Sequence, residues 1–142
     1  VKFGNVIKPE DVRHFIMDRS VEDNLLHLDL YFDENEILNA MRFAALEFNN
    51  IPPLSMAVNP ERMPFQMTFL YGTAYHLYLA KLQQLMRNNI KYEAGGVQTT
   101  LVEDQIKALS EMMPLYKEEF YRLVKQMKQY HNIQNAFGIF TT

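Results

Sequence analysis

The stretch PFQMTFLYGTAYHLYLAKLQQLMRNN (residues 64–89) decides the fold class. Pro64 suits the opening of a helix, where the missing N–H is not needed. Phe65, Phe69, Leu70, Ala74, Leu77, Leu82 and Leu85 fall at helical spacing, and Tyr71, Tyr75, Tyr78 and Leu79 add apolar surface on other faces. A helix that is apolar nearly all round is a central one, covered on several sides. The spacing therefore predicts a long helix over about 65–89. Gly72 inside it costs roughly 1 kcal/mol against Ala, and the expected return is the close approach of a neighbouring helix.

The helices that cover it can be read on either side. Asp33 and Glu36 form a capping box, with Phe32 and Ile37 as the flanking hydrophobic staple. Ile37, Met41, Ala44, Ala45 and Phe48 then share one face. Pro52 and Pro53 forbid continuation past Asn49 and Asn50. Downstream, Ile106, Leu109, Met113, Tyr116, Phe120, Leu123, Met127 and Tyr130 are spaced 3, 4, 3, 4, 3, 4 and 3. That is a heptad seam, predicting one helix over about 102–131 with a kink near Ser110 caused by Pro114. Acidic residues early (Glu103, Asp104, Glu111) and basic ones late (Arg122, Lys125, Lys128) match the helix dipole. Glu118 and Arg122 are positioned as an i,i+4 pair.

Shorter elements complete the chain. Pro9 can open a short helix with Val12, Phe15 and Ile16 on one face, and Ser20 can cap a second short turn. Residues 51–64 hold four of the six prolines and read as a stiff connection, with Leu54 and Met56 as candidate anchors of a contact surface. Gly95 and Gly96 mark a tight turn or a short flap. The expectation is an all-α small bundle with two long helices, shorter N-terminal helices and an extended C-terminal arm. It divides into a helical domain (1–131) and an arm (132–142).

Composition narrows the function. The 142 residues are 48% hydrophobic and 13% aromatic, which excludes a disordered chain, and the net charge of -3 argues against general nucleic-acid binding. The absence of cysteine removes disulfides, thiolate metal sites and a cysteine nucleophile. No apolar run approaches the roughly 20 residues of a membrane span, and Val1 to Lys8 lacks signal-peptide form. The reading is a soluble, intracellularly made protein.

Catalytic chemistry finds no footing. The sequence has no Glu-x-x-His, no phosphate loop around Gly95–Gly96 and no nucleophile elbow. Asp11, three before His14, reads as a helix-surface pair rather than a metal pair. His76 reads as a satisfied, half-buried side chain. Asp33 and Glu36 are explained by capping, and Tyr71, Tyr75 and Tyr78, without interleaved basic residues, read as core. We expect no catalytic residues, no metal and no cofactor.

What remains is the apolar end. Residues 130–142, YHNIQNAFGIFTT, follow the last charged side chain, Lys128. Ile133, Asn135, Phe137 and Ile139 alternate as in a strand with one buried face. With Phe140 they can each gain roughly 1.5–3 kcal/mol in an apolar groove of a partner or of the chain's own bundle.

Three segments, DRSVEDNLL (18–26), FDENEILNAMRFAALEFNNIPPL (32–54) and YEAGG (92–96), resemble head–tail connector (neck or adaptor) proteins of tailed bacteriophages. The resemblance runs in order through most of residues 9–131 and does not include the chain beyond His131. It implies a non-enzymatic virion protein, made in the host cytoplasm and placed in the neck. There it forms a ring, usually twelve-fold, that docks to the portal and to tail or neck proteins. DNA passes through the lumen as cargo. It also implies inter-subunit or partner-facing roles for IPPLS (51–55), which holds Leu54, for the turn with Tyr92, Gly95 and Gly96, and for an arm carrying Ile133, Phe137, Ile139 and Phe140 that reaches the portal or an adjacent subunit. The alternative is a helical binding module for a partner helix or a small apolar ligand beside Tyr75 and His76.

Overall fold

The computed structural model describes residues 7–19, 30–52, 66–92 and 99–137, and these form four helices. They are α1 (Pro9–Ile16), α2 (Glu34–Asn50), α3 (Gln66–Tyr92) and α4 (Thr99–Phe137). Helix α3 is the hub. It packs against α4 and α2, and α1 rests on α2 and α3. The chain is an all-α bundle with two long helices, as the apolar pattern of α3 requires.

Local chemistry sets the helix starts. Pro9 occupies the first turn of α1, and the Asp11 carboxylate accepts the Lys8 backbone N–H at 2.8 Å. In α2, Asp33 accepts the Glu36 N–H at 2.6 Å and Glu36 accepts the Asp33 N–H at 3.0 Å. This closes the capping box read from the sequence. Phe32 and Ile37 are both buried, as are Met41, Ala44, Ala45 and Phe48, with Ala40 added to the same face. Helix α1 ends at Met17, which takes the left-handed conformation (φ 60°), and the Asp18 N–H returns to the Arg13 carbonyl at 3.0 Å.

Asp18 anchors the entry to α2. One carboxylate oxygen meets Arg13 Nη1 at 2.9 Å and accepts the Phe32 N–H at 3.1 Å; the other accepts the Tyr31 N–H at 2.8 Å. Arg13 also donates to the Phe32 carbonyl at 2.7 Å. One ion pair thereby fixes the backbone just before the Asp33 cap.

Of the α3 tyrosines, Tyr75 is in the core and Tyr71 and Tyr78 pack against it. Tyr78 stacks on Tyr116 of α4 at 5.2 Å, and Tyr71 meets Phe15 of α1 edge-on at 5.1 Å. Burial pushes the Tyr78 hydroxyl up to about 12. Gly72 faces the fully buried ring of Phe120, the close helix approach expected of it.

Helix α4 differs from expectation at its ends and along its seam. It is unbroken from Thr99 to Phe137 and stays helical through Pro114. Residues 132–137, expected as the start of an extended arm, are helical. They contain neither Pro nor Gly, and the first Pro or Gly after Pro114 is Gly138. The strand-like alternation of Ile133, Asn135 and Phe137 is therefore not used as a strand. Lys128 is not near the helix end, so it is no dipole partner there. It is buried. The buried line follows Leu109, Met113, Tyr116 and Phe120, then steps by four to Val124 and Lys128, leaving Tyr130 exposed. A straight helix drifts about 20° per heptad against a 3.5-residue seam, which moves the inward face in this way. Arg122 pairs with Glu119, three residues back, rather than with Glu118.

Candidate functional site

Helix α4 is 39 residues long and α3 is 27. The two run antiparallel, with Phe120 over Gly72 and Tyr116 against Tyr78 and Tyr71. By that register the first residue of α3, Gln66, lies level with about residue 126 of α4. The remainder of α4, about 11 residues or roughly 16 Å at 1.5 Å per residue, extends past α3.

The root of this overhang is tied down by Lys128. Its ammonium lies over the Phe48 ring at 4.8 Å and donates to the carbonyl of Ile51, the residue that caps α2. The cation thereby satisfies a helix-end carbonyl. Burial lowers the Lys128 pKa. Past this tie, Tyr130 and Ile133 are each 56% exposed, and His131 and Asn132 are half-buried.

A second polar feature spans the three large helices. Glu47 of α2 faces His76 of α3, with Nε2 2.5 Å from Oε2, and accepts the Tyr121 hydroxyl of α4 on its other oxygen. Burial by itself would raise the Glu47 carboxyl. Hydrogen bonds from His76 and Tyr121, with the charges of His76 and Lys117, hold it below the ordinary value. An ionised Glu47 accepts only, so His76 donates from Nε2. The same bond raises the Tyr121 hydroxyl, and burial adds to it. Lys117 Nζ lies 5.9 Å from the Tyr75 ring and 5.7 Å from the Tyr121 ring. The members satisfy one another, so the cluster reads as a tie between α2, α3 and α4. Among the described residues no group of three or more His, Cys, Asp or Glu could hold a metal ion. The place beside Tyr75 and His76, where a small ligand is the alternative expectation, faces Glu47, Lys117 and Phe43.

The residues read as partner-facing are distributed as follows. Ile133 is exposed on the overhang, Phe137 is the last residue of α4, and Tyr92 is the last residue of α3. Leu54, Met56, Gly95, Gly96, Ile139 and Phe140 lie outside the described residues. The structure thus brings Ile133 and Phe137 onto one helix, four positions apart, and draws none of the others to them among the described residues. Sequence reasoning missed Glu47 and the buried role of Lys128. Glu47 is 29 residues from His76 and 74 from Tyr121 in the chain, so no local spacing marks them. Lys128 does carry a signal: it follows Phe120 and Val124 at steps of four.

The sequence matches no known family profile, no curated protein and no solved structure. No described helix is long and apolar enough to cross a membrane.

Proposed function

We propose that this chain is a non-enzymatic structural protein of a tailed-bacteriophage neck. It forms a ring that docks to the portal, links it to the tail and leaves a lumen for DNA. The observation that carries the reading is the α4 overhang. It presents Ile133 to solvent on a helix whose root is tied by Lys128. A large apolar side chain held out on a pre-formed helix suits docking into a partner's groove, because little ordering entropy remains to be lost on binding. The order of the 18–26, 32–54 and 92–96 segments supports the neck assignment by resemblance. The charge of -3 suits a channel through which DNA slides without sticking.

The test is capture of the purified portal of the encoding phage by the full chain, beside a chain carrying Ile133→Asp. The position is exposed, and retention of the fold is checked by helical circular dichroism. Cryo-EM of virions gives the location independently. Density for the chain at the head–tail junction, with portal binding lost in the variant, is the expected result. Virions that lack the chain at that junction would overturn the assignment.

A further inference from the structure

Helices α2 and α4 both pack on α3, and each leaves large apolar side chains exposed. On α2, Leu38 and Leu46 are 46% and 48% exposed and Phe43 is 53% exposed. On α4, Met112 and Leu115 are 42% and 60% exposed. A folded chain rarely leaves contiguous large side chains open unless they meet something. Their exposure in the folded chain means that neither set covers the other within one copy.

The two faces differ in charge. Arg42 sits four residues from both Leu38 and Leu46 and forms no ion pair among the described residues. Glu111 and Glu118 lie four before and three after Leu115. Both are exposed, and neither forms an ion pair among the described residues. One face is thus apolar around an unmatched cation, and the other is apolar between unmatched carboxylates.

We infer that the α2 face of one copy docks on the α4 face, around Leu115, of a second copy. Leu38 and Leu46 meet Met112 and Leu115, and Arg42 reaches Glu111 or Glu118. The contact joins unlike surfaces, so each pair keeps one free face of each kind and association can continue head to tail. Paired charges at the rim set orientation and partner choice more than strength. The inference rests on the reading of this chain as an assembly protein, and it concerns only copy-to-copy contact, not the portal.

Two double variants test it: Leu38→Asp with Leu46→Asp, and Met112→Asp with Leu115→Asp. All four side chains are exposed, so each variant retains its helical content, checked by circular dichroism. Native mass spectrometry of the full chain reads the outcome. Wild type is expected to form oligomers that grow with concentration, and each variant alone is expected to be monomeric. An equimolar mixture of the two is expected to give one-to-one dimers and nothing larger, because one intact face of each kind remains. A monomeric mixture, a monomeric wild type or variants that assemble like wild type would each overturn the inference. None of these three results bears on whether the chain sits in the virion neck, which the cryo-EM experiment decides.

Discussion

Gly72 of α3 lies directly beneath the ring of Phe120 of α4. A Cβ placed on Gly72 would fall 2.6 Å from Phe120 Cε2 and 2.9 Å from Cδ2. The ring is fully buried and has no solvent to move into. Gly72→Ala gains about 1 kcal/mol of helix propensity, but forcing a methyl into a filled core costs about 1–3 kcal/mol. The contact is far inside van der Waals distance, so the cost wins. Gly72→Ala should lower unfolding free energy by about 1 kcal/mol or more, read from urea denaturation. In the Phe120→Leu background the same substitution should cost less, a coupling that a double-mutant cycle measures.

Glu47 should make stability depend on acid. Its carboxyl is held below the ordinary value, so the folded state binds its proton less readily than the unfolded state. The stabilisation is therefore present above the unfolded pKa of about 4.5 and is lost as pH falls through the lower folded pKa. Glu47→Gln should destabilise the chain at pH 7 by about 2 kcal/mol, as for hydrogen bonds to a charged group. The gap between wild type and variant should shrink steadily below pH 4.5. Equal denaturation midpoint shifts at pH 7 and pH 3 would contradict this.

Which features could be read from sequence follows from how far apart the interacting residues lie. Asp33 and Glu36 recognise each other across three residues, and the capping box formed as read. Gly72 in an apolar helix announced a close contact, although only the structure names Phe120. The Glu47–His76–Tyr121 tie depends on three helices meeting, and helix periodicity carries no information about which polar side chains meet across them. The α4 end was misplaced because apolar alternation at Ile133, Asn135 and Phe137 suggested a strand. Without a Pro or Gly between His131 and Gly138, the backbone bonds of α4 simply continue through Phe137. Of the residues read as partner-facing, Ile133 stands exposed near the end of α4, after the last charged side chain.

Thr73 should tolerate loss of its hydroxyl. The side chain is fully buried, and Oγ1 has no hydrogen-bond partner among the described residues. An unmatched buried hydroxyl carries a desolvation cost of about 1–3 kcal/mol. Valine keeps the branched shape and removes the oxygen. Thr73→Val should raise the thermal midpoint and add about 1 kcal/mol to unfolding free energy, whereas Thr73→Ala should lower both by opening a cavity.

Asp18 fixes the approach to α2 through one carboxylate shared among Arg13 and the N–H groups of Tyr31 and Phe32. Asp18→Ala leaves a half-buried guanidinium and two backbone donors without that acceptor. The expected loss is about 2–3 kcal/mol, larger than for an exposed ion pair, because the partners are partly out of water. Amide hydrogen exchange should localise the effect. Protection at Tyr31 and Phe32 should fall first, while Phe69 and Leu77 in the centre of α3 lose protection only in step with global stability. Uniform loss across all four amides would show that Asp18 acts on the whole bundle instead of on this junction.

Lys128 yields the prediction with the clearest sign. Its folded pKa lies below the ordinary lysine value of 10.5 because burial disfavours the ammonium. Below the folded pKa both states are protonated, and the folded state bears the cost of the buried charge. Between the folded pKa and 10.5 the unfolded state binds more proton, so stability rises with pH. Lys128→Met keeps most of the side-chain volume against Phe48 but removes both the titration and the donor to the Ile51 carbonyl. Tyrosines also titrate in this range, so the informative quantity is the difference between wild type and variant. In guanidinium denaturation across the alkaline range, wild type should gain on Lys128→Met once pH rises past the lowered folded pKa toward 10.5. A difference that stays flat, or moves toward the variant, would mean that Lys128 is solvated in solution and does not hold the root of the α4 overhang.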